Sequence, residues 1–142
     1  MRNIMVATDG SDGSSRAINA GAELVKSVAG TLTIATVGAE RFSDEQKEFA
    51  RVEGDLADAA ETFARQILND AEQRARQAGI AACILDLAWG EPAQTIIEII
   101  RREKIDAVVV GRRGRGQLSG LLLGSVSQKL ATLAPCIVIV VP

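Results

Sequence analysis

The chain has 142 residues, with 16 Lys or Arg against 18 Asp or Glu and a formal charge of −2. That length suits one domain, residues 1–142, with a single substantial core, and the near-balanced charge supplies no field for nucleic acid or an anionic membrane. Histidine is absent, which removes the commonest general base, the commonest metal ligand and every Ser-His or Cys-His pair, so neither a catalytic residue nor a metal site is assigned.

Asn3 to Ala7 reads as a short apolar strand, which makes the N-terminus a strand rather than an export signal and the cytoplasm the expected location. No apolar run reaches the length of a membrane span. A turn-and-cap cluster, Thr8 to Ser15, follows, with Ser11 or Asp12 as N-cap of a helix burying Ala17, Ala20, Gly21, Leu24, Val25 and Val28. Asp9 stands at the end of the first strand. It either orders the turn or faces a ligand, since open α/β sheets bind ligands at the carboxyl ends of their strands. Leu32 to Val37 is the second strand. Residues 38–54 lose periodicity and crowd with charge, which reads as a solvated connector or else a lid or docking loop. The next helix buries Leu56, Ala60, Phe63, Ile67, Ala71, Ala75 and Ala78 and stops at Gly79. Ala81 to Trp89 is the third strand, in which Asp86 marks an edge strand or else an inward functional carboxylate, the edge being the favoured reading. Gly90-Glu91-Pro92 ends it and opens a helix with buried Ala93, Ile96, Ile97 and Ile100. Asp106 to Val110 is the fourth strand and Ile137 to Val141, wholly apolar, the fifth. Cys83 and Cys136 fit no CxxC spacing and read as buried, reduced thiols.

The strand and helix alternation argues for a parallel sheet covered on both faces. Its most informative stretch is Val108 to Ser127, VVVGRRGRGQLSGLLLGSVS. A strand runs into a glycine-rich loop and then a helix whose first turn carries Ser125 and Ser127. A helix N-terminus offers unpaired N–H groups and a positive dipole end, and glycines let a backbone approach an anion closely. The two serines can cap the helix or donate to phosphate oxygens. No Gly-x4-Gly-Lys-Ser/Thr string occurs, so the loop is not a Walker A loop.

The spacing Gly111-x2-Gly114-x9-Gly124-Ser125, with the flanking VVVGRRGRG, LLLGSVSQKL and APCIVIVV, resembles the nucleotide-binding signature of the ATP-binding branch of the universal stress protein family. The resemblance covers nearly the whole chain. It implies a Rossmann-like fold of the adenine nucleotide alpha hydrolase type, with strand order 3-2-1-4-5 and helices on both faces. It implies ATP, or ADP or AMP, as the bound cofactor, with or without a bridging Mg²⁺. Asp9, with Thr8 before it, and Val37 would then lie against the adenosine. Gly111, Gly114, Gly124, Ser125, Val126 and Ser127, with Val110 leading in, would lie against the phosphates, and the backbone at Gly90 would face the same pocket.

The family usually has His where Thr36 stands, Pro at Ile137 and a small residue at Arg112. Arg112 thus adds a charge at the pocket mouth, and with Arg113 and Arg115 reads as a solvated group or a phosphate clamp. The fifth strand leaves an apolar sheet edge, which the family pairs across a two-fold axis, so a homodimer through Ile137–Val141 is expected alongside an unidentified protein partner. Three functions compete: an adenine-nucleotide-binding stress or signalling module, a slow ATPase or nucleotidyl-transfer enzyme, and a nucleotide-independent interaction scaffold. The first fits best, because no general base is evident.

Overall fold

Five apolar runs bounded by turn residues form strands: β1 (Asn3–Ala7), β2 (Thr31–Gly38), β3 (Ile84–Trp89), β4 (Ala107–Gly111) and β5 (Ile137–Val141). The structure is a computed structural model that describes residues 1–38, 55–113 and 123–142. The strands form one parallel sheet in the order β3-β2-β1-β4-β5, the order the resemblance implies. Among the described residues four helices connect them: α1 (Asp12–Val28), α2 (Asp55–Gln77), α3 (Pro92–Glu103) and α4 (Ser125–Leu133).

Successive side chains of a strand point to opposite faces, so each central strand feeds two cores. On one face Ile4, Val6, Ile34 and Val109 pack with Ala17, Ile18 and Val25 of α1 and Leu68, Ala71 and Ala75 of α2. On the other, Met5, Ala35, Val108 and Val110 pack with Ile96, Ile97, Ile99 and Ile100 of α3 and Leu130 of α4. Helices α1 and α4, which follow the neighbouring strands β1 and β4, therefore cover opposite faces.

Several local expectations shift. Of the predicted α1 face, Ala17, Gly21 and Val25 are buried, joined by Ser14, Ile18 and Ala22, while Ala20, Leu24 and Val28 are half-buried. In α2 the buried stripe is Ala64, Leu68, Ala71 and Ala75, whereas Phe63 is 54% exposed and Ile67 half-buried. Both stripes have helical spacing and share Ala71 and Ala75, and the buried one sets Ala64 and Leu68 against the sheet where Phe63 and Ile67 were expected. The third strand begins at Ile84 rather than Ala81. Asp86 does lie on an edge strand, where its Oδ2 pairs with Arg102 Nη2 at 2.6 Å. Gly79 follows α2 at φ 101°, the left-handed turn its position called for. Cys83 and Cys136 are free and half-buried rather than buried, at opposite edges of the sheet. Burial raises both thiol pKa values, so neither is readily a thiolate. The expectations for residues 38–54 fall, from 39 onward, outside the described residues. Among the described residues no helix is long and apolar enough to cross a membrane.

Candidate functional site

Because β1 and β4 are adjacent and their helices leave to opposite faces, a crevice opens beyond their carboxyl ends. Its β1 side is built from hydroxyls. The Thr8 N–H donates to the Ala35 carbonyl at 2.9 Å, which continues the ladder one residue beyond β1. Buried Thr36 donates its hydroxyl to the Thr8 carbonyl. Thr8 Oγ1 donates to Ser14 Oγ at 2.9 Å, and Ser14 Oγ donates to the Ser11 carbonyl at 2.9 Å. Ser11, not Asp12, is the N-cap of α1, its Oγ accepting from the Ser14 N–H at 3.3 Å. Asp9 Oδ1 accepts the Ser11 N–H at 2.9 Å, so the aspartate does order the turn, and it lines the crevice as well.

The β4 side hangs on the backbone of Arg112. Its N–H donates to the Val141 carbonyl at 2.7 Å, and its carbonyl accepts the Gly124 N–H at 2.7 Å. Ser127 Oγ lies 2.9 Å from the Arg112 carbonyl and 3.1 Å from that of Gly124. Of the two roles open to the Ser127 hydroxyl, the structure shows the internal one. The exposed Ser125 hydroxyl has no hydrogen-bond partner among the described residues. Gly124 is the N-cap of α4 and brings no side chain to it. The first-turn N–H groups of Ser125, Val126 and Ser127 therefore lack both intrahelical acceptors and a side-chain cap.

Gly111 has a further reason to be glycine. A Cβ there would sit 2.8 Å from the carbonyl carbon of Gly13 and 3.1 Å from the Ser14 nitrogen. A Cβ on Gly13 would sit 2.9 Å from the Arg113 oxygen. The end of β4 thus touches the first turn of α1 backbone to backbone, which brings the two halves of the crevice together.

The resulting cavity, about 320 Å³, is lined by Ala7, Thr8, Asp9, Ser11 and Ser14 from β1 and the start of α1. Ala35 and Val37 of β2, Pro92 and Ile96 of α3, and Val110, Gly111 and Arg113 at the end of β4 continue it, and Gly124, Ser125, Val126 and Ser127 close it. Nine of the residues singled out from sequence thus share one cavity. Gly90 is not among them: its φ is 144° and its N–H donates to the Gly38 carbonyl at 3.1 Å. Gly114 and Arg115 lie outside the described residues. Pro92 and Ile96 were missed as site residues, although their i, i+4 spacing at the start of an amphipathic helix places them on one face. Ser11 and Ser14 were legible as caps and not as lining. Arg112, which drew attention as the added charge, does not line the cavity, and Arg113 does.

The cavity has a polar and an apolar end. In a parallel strand the N–H and C=O of one residue point the same way, and the direction alternates along the chain. The Ala35 carbonyl bonds Thr8 on the β1 side, so two residues on, the N–H and C=O of Val37 face that side too, beyond the last residue of β1. That donor–acceptor pair, unbonded on the β1 side among the described residues, lies beside Ala35 and Ile96 and suits the edge and face of a flat heterocycle. The hydroxyls and the α4 N-terminus suit sugar and phosphate. Asp9 and Arg113 are the charged residues in the lining. At the rim, Glu91 caps α3 through the Gln94 N–H at 2.7 Å and reaches Lys129 Nζ of α4 at 3.3 Å. The Gln94 bond first, and Lys129 with it, hold its carboxyl below the usual glutamate value.

Fold and cavity define an open, doubly wound α/β domain with a ligand-sized crevice at the topological switch point. The universal stress protein family matches residues 1–142, and the chain belongs to it. It is 32% identical to universal stress protein YxiE of Bacillus subtilis, over 97% of each chain. A universal stress protein UspA from Lactobacillus plantarum superposes with a TM-score of 0.87 at 23% identity, covering 99% of this chain and 97% of its own. A universal stress protein solved in complex with cAMP gives a TM-score of 0.77 at 29% identity, covering 99% of this chain and 97% of its own.

Proposed function

We propose that this chain is an adenine-nucleotide-binding module, a cytoplasmic stress-response or signalling protein that holds ATP, or ADP or AMP. The observation that carries the reading is the pairing, across one cavity, of the Val37 backbone edge, unbonded on the β1 side among the described residues, with the N-terminus of α4, which has no side-chain cap. In the sheet these lie on the β2 and β4 sides of β1, two strand spacings or about 10 Å apart, which is the scale of a nucleotide from base to phosphate. The cAMP complex of a relative at 29% identity supports the same ligand class.

In this arrangement Val37 reads the base edge, Thr8 and Asp9 meet the ribose, and the first-turn amides of α4 meet the phosphates, joined by Ser125 Oγ, which has no partner among the described residues. Among the described residues no group of three His, Cys, Asp or Glu could hold a metal, so any Mg²⁺ would ride on the phosphates. The carboxylate in the lining, Asp9, already accepts the Ser11 N–H, which favours a binding module over efficient phosphoryl transfer. Half-buried Val138 and Val140, with Leu133 62% and Ile137 54% exposed, leave an apolar face at the β5 edge that a second copy would cover.

Titration calorimetry with AMP, ADP and Mg·ATP tests the reading. The wild type should bind and gain thermal stability by mass action. Gly124→Val, which brings a branched side chain to the helix start, should lose ~100-fold in affinity, about 3 kcal/mol. Indifference of the wild type to all three nucleotides at millimolar concentration would refute it and leave the scaffold function.

A further inference from the structure

We propose that Arg113 makes the cavity select by phosphate number, favouring nucleoside di- and triphosphates over monophosphates and cyclic monophosphates. The inference rests on the nucleotide reading above and names the ligand class within it.

The lining is charged at two places, and they are separated along the ligand axis. Asp9 follows β1 near the sugar position, whereas Arg113 lies two residues past Gly111, where β4 ends. A ligand whose base lies at Val37 and whose first phosphate meets the α4 amides has its remaining phosphates to place beyond β4, on the side where Arg113 stands. Amides of a helix start suit one phosphate group, and their field falls off within a turn. A second or third phosphate therefore needs another source of positive charge, and a guanidinium supplies it with fork-shaped donors.

The three neighbouring cations are not equivalent in this respect. Arg112 is committed through its backbone to Val141, Gly124 and Ser127, and it does not line the cavity. Arg16 Nε donates to the Pro142 carbonyl at 2.8 Å. Arg113 has no ion pair among the described residues. Its carbonyl rests against Gly13, where a Cβ would come to 2.9 Å, so its main chain is seated on the first turn of α1. A long cationic side chain on an anchored backbone at the mouth of the cavity is a charge placed for the far end of a ligand.

The test is calorimetric titration of Arg113→Gln, Arg113→Lys and the distant surface control Arg65→Gln with AMP, cAMP, ADP and ATP, at two salt concentrations. Arg113→Gln should lose ~10-fold in affinity for ATP and ADP, about 1.4 kcal/mol, and stay within twofold of wild type for AMP and cAMP. Arg113→Lys should recover part of the ATP affinity, and the salt dependence of ATP binding should flatten in Arg113→Gln alone. Equal loss for all four nucleotides, or no loss for any, would overturn the selection role while leaving nucleotide binding intact. A wild type that binds none of them would fell both readings. Arg113 is exposed, so circular dichroism should show the variants folded as wild type.

Discussion

Gly111→Ala distinguishes two reasons for one glycine. If Gly111 serves only to let a phosphate approach, adding a methyl group should weaken ligand binding and leave the free protein as stable as before. The structure says otherwise. The new Cβ would lie 2.8 Å from Gly13 C, 3.0 Å from Gly13 O and 3.1 Å from Ser14 N. Comfortable contact begins near 3.5 Å, so the end of β4 and the first turn of α1 must part by about half an ångström. All three atoms belong to the backbone, and that turn is held by the bonds among Thr8, Ser11 and Ser14, so no side chain can swing aside. Overpacking of this kind costs about 1–3 kcal/mol, and the rigidity of both partners argues for the upper half, ~2–3 kcal/mol. For a domain of this size that corresponds to a fall in Tm of roughly 7–10 °C.

Urea unfolding followed by circular dichroism, without ligand, gives the number directly. Gly13→Ala presses on the same contact from the other side, at 2.9 Å from the Arg113 oxygen. The double variant should therefore cost less than the sum of the two single ones. A change below ~0.5 kcal/mol for Gly111→Ala in the free protein, with loss of nucleotide affinity alone, would refute the packing argument.

Glu91→Ala should remove the α3 cap and the tie to Lys129, costing about 1 kcal/mol at neutral pH, with the largely exposed ion pair adding little. Because the folded carboxyl titrates below an unfolded glutamate, its stabilisation is full above the unfolded pKa and is lost as pH falls through the folded one. Denaturation curves of wild type and variant should accordingly converge in acid, and a gap that persists there would show that the carboxylate charge is not what matters. For the proposed dimer, Val140→Asp should give monomer or aggregate in sedimentation velocity. An undisturbed dimer would place the interface away from β5.

The division between what the sequence settles and what it leaves to tertiary structure follows the range of the forces involved. Strand identity is local: β1 and β5 run over the residues their apolar runs and turn punctuation mark, Asn3–Ala7 and Ile137–Val141. The alternation of strand and helix already requires a parallel sheet with two covered faces. The glycine-and-serine spacing around Gly111 and Gly124, through its resemblance to a known family, pointed to the strand ends at which the cavity opens. Helix faces were less legible. In α2 the stripes through Phe63 and through Ala64 have the same period, and only contact with the sheet and α1 decides which is buried.

The site shows the same limit at finer scale. Ser127 spends its hydroxyl on the carbonyls of Arg112 and Gly124, Gly90 turns its N–H to Gly38, and Gly111 is small because Gly13 is there. Neighbouring Arg112 and Arg113 look alike as letters. One is taken up in joining β5 to α4, and the other reaches the cavity. Periodicity and composition report which residues prefer water and which do not. Which polar atom meets which is set by segments that are separate in the chain, and only the folded sheet brings those together.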